Sequence, residues 1–276
     1  MSYLSVSTWS LHRLLGPLHL TNWDTETGSH QTKALEQPQE LTLLELPAAA
    51  ASKGYQAIEV CHFHFPAMEA SYLEQLRQAF TAADVSFDTL LVDYGDLTNP
   101  DKTRAAADLS LMRQWVDIAS LSGAKQIRIV AGEAAPSDEA AIRQSADALA
   151  ELAQYAAARN VRVVTENFKS LTSTADSSLK LLAYAGDHVG FITDFGNYRD
   201  DRKLAEIAAT TPLSVSVHVK PNYDENGYPD ETSLVNYLNE VKNAGFDGAY
   251  VLIYDGPGDM WEGLDRVKAI VTPYIN

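Results

Sequence analysis

The sequence predicts an α/β fold, a single closed (β/α)₈ TIM barrel spanning residues 1–276. Three observations carry the prediction. Short β-branched runs alternate with longer amphipathic runs along the whole chain, which implies a parallel sheet with helices outside it. A length of 276 residues suits eight such units in one body. No low-complexity linker divides the chain. An open doubly wound sheet is the competing architecture. No glycine-rich phosphate fingerprint follows the first strand, which weakens a dinucleotide-binding version of it.

Taken in order, the runs YLSVSTW (3–9), QAIEVCH (56–62), SFDTLLV (86–92), QIRIVA (126–131), VRVVTE (161–166), HVGFITD (188–194), LSVSVHV (213–219) and GAYVLIY (248–254) read as strands. Helical patterns cover about 39–53, 69–83, 101–122, 137–159, 174–185, 200–209, 230–244 and 259–275. Asn99-Pro100-Asp101, Pro136-Ser137-Asp138 and Pro229-Asp230 are start signals, because a short polar side chain can accept from the first free helix N–H groups. Gly54, Gly123, Asn160 and Gly245 stand where a left-handed residue would stop a helix before the next strand. The longest irregular stretch, about 13–38, follows the first strand. In a barrel it lies over the mouth, where it reads equally as a solvated insertion or as a lid or wall.

Composition narrows the function. Lys and Arg number 21 against 37 Asp and Glu, so 21 − 37 = −16. That charge repels phosphate backbones and anionic lipid, and neither nucleic acid nor membrane is an expected partner. The lone cysteine, Cys61, allows no internal disulfide and fits a reducing, cytoplasmic location. The start MSYLSVSTWSLHRLLG lacks a basic segment ahead of a long apolar run, so no signal peptide is expected. No apolar stretch approaches the ~20 residues of a membrane span.

The strand ends carry the chemistry, because barrel active sites sit at the C-terminal ends of the strands. The fifth strand ends in Glu166 and Asn167, and the sixth in Asp194 with Asn197 just beyond. The seventh ends in His218 and Lys220, and the eighth in Tyr254 and Asp255. In the seventh, Ser214, Ser216, His218 and Lys220 alternate with Val215, Val217 and Val219, which predicts a polar face into the barrel and a valine face under the helices. Two carboxylates and an imidazole on adjacent strand ends suit Mn²⁺, Zn²⁺, Co²⁺ or Fe²⁺, or Mg²⁺ where oxygen ligands dominate. Taken singly, each residue has an ordinary structural use: Asp194 as a turn cap, His218 as a hydrogen-bonded core residue, Glu166 as a partner of Lys169 or Arg128. Trp9, His12, His64, Asn197 and Arg199 are candidates for the substrate pocket, Trp9 by stacking on the C–H face of a ring. His62 shares i, i+2 spacing with His64, and Asp93 and Glu133 follow other strands.

The segments GYQAIEVCHFHFP, TENFKSLTSTADSSLKLLAYAG, FITDFGN, VHVKP and GFDGAYVLIYDGPGD together resemble the xylose isomerase-like TIM barrels. That family includes sugar isomerases, ketose 3-epimerases and sugar-acid or inosose dehydratases. The resemblance implies a divalent metal, Mn²⁺ first and Mg²⁺, Co²⁺ or Zn²⁺ as alternatives, held by Glu, Asp, His and Glu from strands five to eight. Glu166, Asp194 and His218 match the first three positions. At the fourth the chain has Ile253, and Asp255 two residues on is the candidate replacement. The resemblance also implies a small sugar-like substrate and a homo-oligomer. Glu166, Lys220 and Asp255 are then the candidate catalytic groups, with Glu166 as the base.

The expected function is metal-dependent isomerisation, epimerisation or dehydration of a sugar, sugar phosphate or cyclitol. Without a carboxylate at 253, one-base chemistry is favoured over two-base epimerisation. The alternative is a non-catalytic sugar-binding barrel with an incomplete metal site. A third branch of the fold, apurinic endonuclease, uses a histidine-rich zinc cluster and a basic DNA face, and the −16 charge opposes it.

Overall fold

Eight parallel strands close into a barrel in the computed structural model, which describes residues 1–275. In chain order the elements are β1 (Tyr3–Ser7), β2 (Leu18–Asp24), β3 (Ser29–Leu35), α1 (Leu46–Ser52), β4 (Ala57–Cys61), α2 (Ala70–Ala82), β5 (Ser86–Leu91), α3 (Lys102–Ser122), β6 (Gln126–Arg128), α4 (Glu139–Ala157), β7 (Arg162–Glu166), α5 (Ala175–Ala185), β8 (Val189–Asp194), α6 (Lys203–Thr210), β9 (Ser214–Val219), α7 (Glu231–Asn243), β10 (Ala249–Leu252) and α8 (Met260–Val271). Around the barrel the order is β1, β4, β5, β6, β7, β8, β9, β10 and back to β1, so each new strand pairs with the one before it. No helix among the described residues is long and apolar enough to cross a membrane.

Alternation along the strands sorts the core into two layers. Ile58, Ile127, Val163, Val217 and Val219 belong to the cluster that packs beneath the helices. Cys61, Leu91, Val164 and Ile192 form a separate cluster inside the barrel. Side-chain caps start the helices where the sequence places them. Asp101 accepts from Thr103 and Arg104, Asp138 from Ala140 and Ala141, and Asp230 from Ser233. Gly123 at φ +85° ends α3, and Asn160 at φ +59° turns the chain into β7.

Three local departures from the sequence expectation have identifiable causes. The stretch 13–38 is not irregular: β2 and β3 pair with each other as an antiparallel hairpin, from Leu18↔Leu35 to Asp24↔Ser29. Leu18 is buried with Cys61, Phe63 and Leu91, and Leu20 packs on the same group, so the hairpin lies against the mouth. The helix expected at 39–53 begins only at Leu46. Thr42 and Glu45 close a turn on each other through backbone and side chain, and Pro47 sits at the first turn. In β9 the pairing jumps from Phe191↔Ser214 to Ile192↔Ser216, leaving Val215 as an extra residue. That bulge turns Ser214 away from Ser216 and His218, and its hydroxyl bonds Thr193 Oγ1 and the Thr210 carbonyl on the helix side.

Candidate metal centre at the barrel mouth

Glu166 ends β7, Asp194 ends β8, and His218 sits opposite Asp194 in the β8–β9 register. The three residues are only 2%, 5% and 3% exposed, so their charges depend chiefly on one another and on neighbouring groups for partners. His218 Nδ1 lies 3.4 Å from Glu166 Oε1 and 3.5 Å from Asp194 Oδ2. One donor atom from each residue falls within 4.8 Å of the other two, the one such cluster among the described residues. Burial works against charge on His218, but Glu59, Glu166 and Asp194 push its pKa well above the usual imidazole range. Burial likewise opposes charge on Asp194, and the His218 and Lys220 cations hold its carboxyl below the ordinary range.

Supporting residues fix the donors in place. The Asn167 amide donates to the Asp194 carbonyl at 2.9 Å and accepts from the Asp194 N–H at 2.7 Å, locking β8 to β7 just below the site. Asn197 Nδ2 donates to Glu166 Oε1 at 3.1 Å. Arg128, buried on β6, places Nε 3.0 Å from Glu166 Oε2 and forms a short pair with Asp93. Burial opposes its charge, but Asp93 and Glu166 keep the guanidinium protonated at any ordinary pH. The Arg128–Glu166 contact is electrostatic rather than directed, because Oε2 accepts no hydrogen bond from any described residue. A buried carboxylate oxygen with free acceptor capacity, a second carboxylate and an imidazole nitrogen form a donor set suited to a divalent transition ion.

A cavity of about 200 Å³ opens over the cluster. At about 30 Å³ per water it has room for a small molecule. Trp9, Cys61, Leu91, Phe168 and Ile253 form its apolar wall, opposite Glu166, Asp194, His218, Asn197, Arg128 and Lys220. Ile253 thus faces the cavity at the place where the resemblance puts a fourth ligand. Asp255 does not join the donor cluster: Lys220 Nζ holds its carboxylate at 2.8 Å at the rim. Burial lowers the Lys220 pKa, but Asp194 and Asp255 outweigh it and leave the ammonium charged.

The remaining pocket candidates separate by position. Trp9 lines the cavity, and His12 stacks behind its ring at 4.7 Å with Nδ1 2.6 Å from the Trp9 carbonyl. Arg199 is exposed and borders shallow grooves outside the cavity. His64 turns away from the metal cluster toward a side crevice under the hairpin, its Nδ1 2.9 Å from Thr8 Oγ1. His62 accepts from the Asp93 N–H through Nδ1 at 3.2 Å. Burial drives both imidazoles down, His62 to about 4 and His64 to about 3.

These two histidines predict acid lability. A neutral buried imidazole favours folding above the unfolded pKa of about 6.5, and that stability is lost as pH falls toward the folded value. For His62 the window runs from about 6.5 to about 4, and the loss approaches about 3 kcal/mol. Urea unfolding across that range measures it. His62→Phe should flatten the curve, and an unchanged slope would remove His62 as its cause.

Of the buried charges around the site, Arg128 pairs with Glu166 as the sequence allows and Asp93 follows its strand into the mouth, whereas Glu59 is not among the residues the sequence singles out. A signal was nonetheless present. Glu59 and Arg128 each interrupt an otherwise apolar strand run, in AIEVC and QIRIV, and a charge there must be paired.

The sequence profile described as the xylose isomerase-like TIM barrel matches residues 47–270. The chain belongs to that family. Among solved structures, L-ribulose 3-epimerase superposes with a TM-score of 0.74 at 15% identity, over 99% of this chain and 94% of its own. The probable 3-DHS dehydratase AsbF of Bacillus anthracis gives 0.67 at 15% identity, over 98% and 99%. The IOLI protein with a bound zinc atom gives 0.70 at 16% identity, over 99% and 97%. At such identities the likeness is one of fold. No curated protein sequence matches the chain.

Proposed function

We propose that this family member is a divalent-metal-dependent isomerase or epimerase, or a related dehydratase, that moves a proton beside the carbonyl of a sugar, sugar phosphate or cyclitol. The convergence of Glu166, Asp194 and His218 beneath a cavity of small-molecule size carries the reading. Relatives in fold that are named as a 3-epimerase and a dehydratase support it. The three residues are the proposed ligands, with Mn²⁺ the first candidate ion. When bound, the ion supplies Lewis-acid polarisation of a carbonyl and the hydroxyl next to it.

The chain's own groups divide the remaining work. Glu166 is the proposed base; Asn197 holds its Oε1, while Oε2 accepts no hydrogen bond from a described residue. The Arg128 cation stands beside that carboxylate, its Nε 3.0 Å from Oε2. Lys220, charged and paired with Asp255, is the proposed donor to a departing or returning hydroxyl. Trp9, backed by His12, offers a flat apolar wall for the C–H face of a sugar. Arg199 is placed to meet only those parts of a substrate that project from the cavity. His64 acts on the mouth indirectly, through Thr8. Ile253 cannot carry a proton, so the two faces of the substrate are served unequally and one-base chemistry is favoured.

Calorimetric titration of Mn²⁺ into the chelated protein tests the reading, followed by incubation of ketoses and keto-cyclitols in ²H₂O. Near-stoichiometric binding, and deuterium at the carbon next to the carbonyl, are the expected results. Absence of specific metal binding would sink the metalloenzyme. Ile253 favours one second reading, a non-catalytic sugar-binding barrel. Under that reading sugars raise the melting temperature without metal and without deuterium uptake.

A further inference from the structure

Glu59 stands in the middle of β4 and is completely buried. A carboxylate so placed needs partners for both oxygens. Oε1 accepts from Thr89 Oγ1 at 2.9 Å and from Ser216 Oγ at 3.4 Å. Oε2 lies 2.7 Å from His218 Nε2, across the barrel on β9. Two hydroxyls thus aim one oxygen of the carboxylate and leave the other directed at a single ring nitrogen. A carboxylate is an acceptor, so Nε2 carries the hydrogen between them.

The consequence falls on the other side of the ring. With Nε2 fixed as the donor, Nδ1 is the nitrogen that turns toward Glu166 Oε1 and Asp194 Oδ2. A nitrogen bearing hydrogen cannot bind a metal, so the tautomer decides whether His218 is a ligand at all. We propose that Glu59 is a positioning residue: it accepts from His218 Nε2–H and fixes the ring plane, so that Nδ1 is the nitrogen presented to the ion. Thr89 and Ser216 serve the same end one step further back. The inference rests on the metal-centre reading above and adds a residue from the opposite side of the barrel to it.

Two measurements on the full chain test it. In the Zn²⁺-loaded protein, ¹⁵N-histidine NMR should show His218 with Nε2 protonated and Nδ1 bare and metal-shifted. The opposite assignment overturns the proposal and needs no variant. Zn²⁺ titrations then compare wild type, Glu59→Gln, Glu59→Met, His218→Asn and the double variant Glu59→Met/His218→Asn. Glu59→Met should weaken binding by about 10–100-fold, the usual cost of losing an outer partner of a metal-bound histidine. Glu59→Gln, which keeps an acceptor oxygen, should fall between it and wild type. In the His218→Asn background the Glu59 effect should vanish. An equal loss in that background means that Glu59 merely supports the barrel, and unchanged affinity in Glu59→Met means that it does nothing for the site. Either result overturns the inference. If wild type itself binds no Zn²⁺, the metal-centre reading fails and takes this inference with it, a result distinct from both.

Discussion

Asp194→Ala is expected to lower divalent-metal affinity by more than about 100-fold, beyond the range seen when only an outer partner of a ligand is lost, and to leave the barrel folded. The asymmetry follows from what holds Asp194. Its side chain contributes one of three donors, and with Ile253 at the fourth place no carboxylate stands by to replace it. Its backbone, by contrast, supplies the two hydrogen bonds that join Asn167 to β8, and alanine keeps both. The variant loses only the side-chain contacts to Gly196 and to the neighbouring cations. Calorimetry gives the affinity and a thermal melt gives the fold. Near-native Mn²⁺ affinity in a folded Asp194→Ala protein would remove Asp194 from the ligand set.

Glu166→Gln is expected to separate the two roles proposed for Glu166, base and ligand. A glutamine oxygen can still face an ion, but the amide cannot take a proton from carbon. Turnover should fall by about 10²–10⁴-fold, together with deuterium uptake from ²H₂O, while metal affinity drops far less. One local cost is built in. Asn197 donates to one Glu166 oxygen and the Arg128 cation stands beside the other, and glutamine must turn its N–H groups toward one of them. The decisive comparison is between the two variants: Asp194→Ala at saturating metal should regain exchange, and Glu166→Gln should not. Exchange retained in Glu166→Gln would move the base elsewhere.

Barrel architecture and the three central donors were readable before any coordinates because both rest on local patterns. Runs such as VRVVTE and HVGFITD are rich in β-branched and apolar residues and end in a carboxylate, which at that place projects into the mouth of a parallel barrel. The hairpin escaped because LHLTNWD and SHQTKAL are exposed or half-buried over most of their length and show no clean apolar alternation. Its pairing partner is itself, which no periodicity announces. Ser214 was assigned to the wrong face because a one-residue bulge at Val215 resets the alternation without altering the composition. Glu59 is hidden for a different reason. Its partner His218 comes from a strand distant in sequence, so only closure of the barrel reveals what the buried charge is for.

The hairpin is inserted between β1 and α1, and both of its strands pair only with each other. It touches the mouth through Leu18 and Leu20 and is tied to α3 by His30, whose Nε2 lies 2.7 Å from Asp108. None of the proposed ligands is carried on it. The hairpin is therefore an addition to the barrel and not one of its staves: apart from the footing of Leu18 and Leu20, its length and sequence can vary while the strands that carry Glu166, Asp194 and His218 stay as they are.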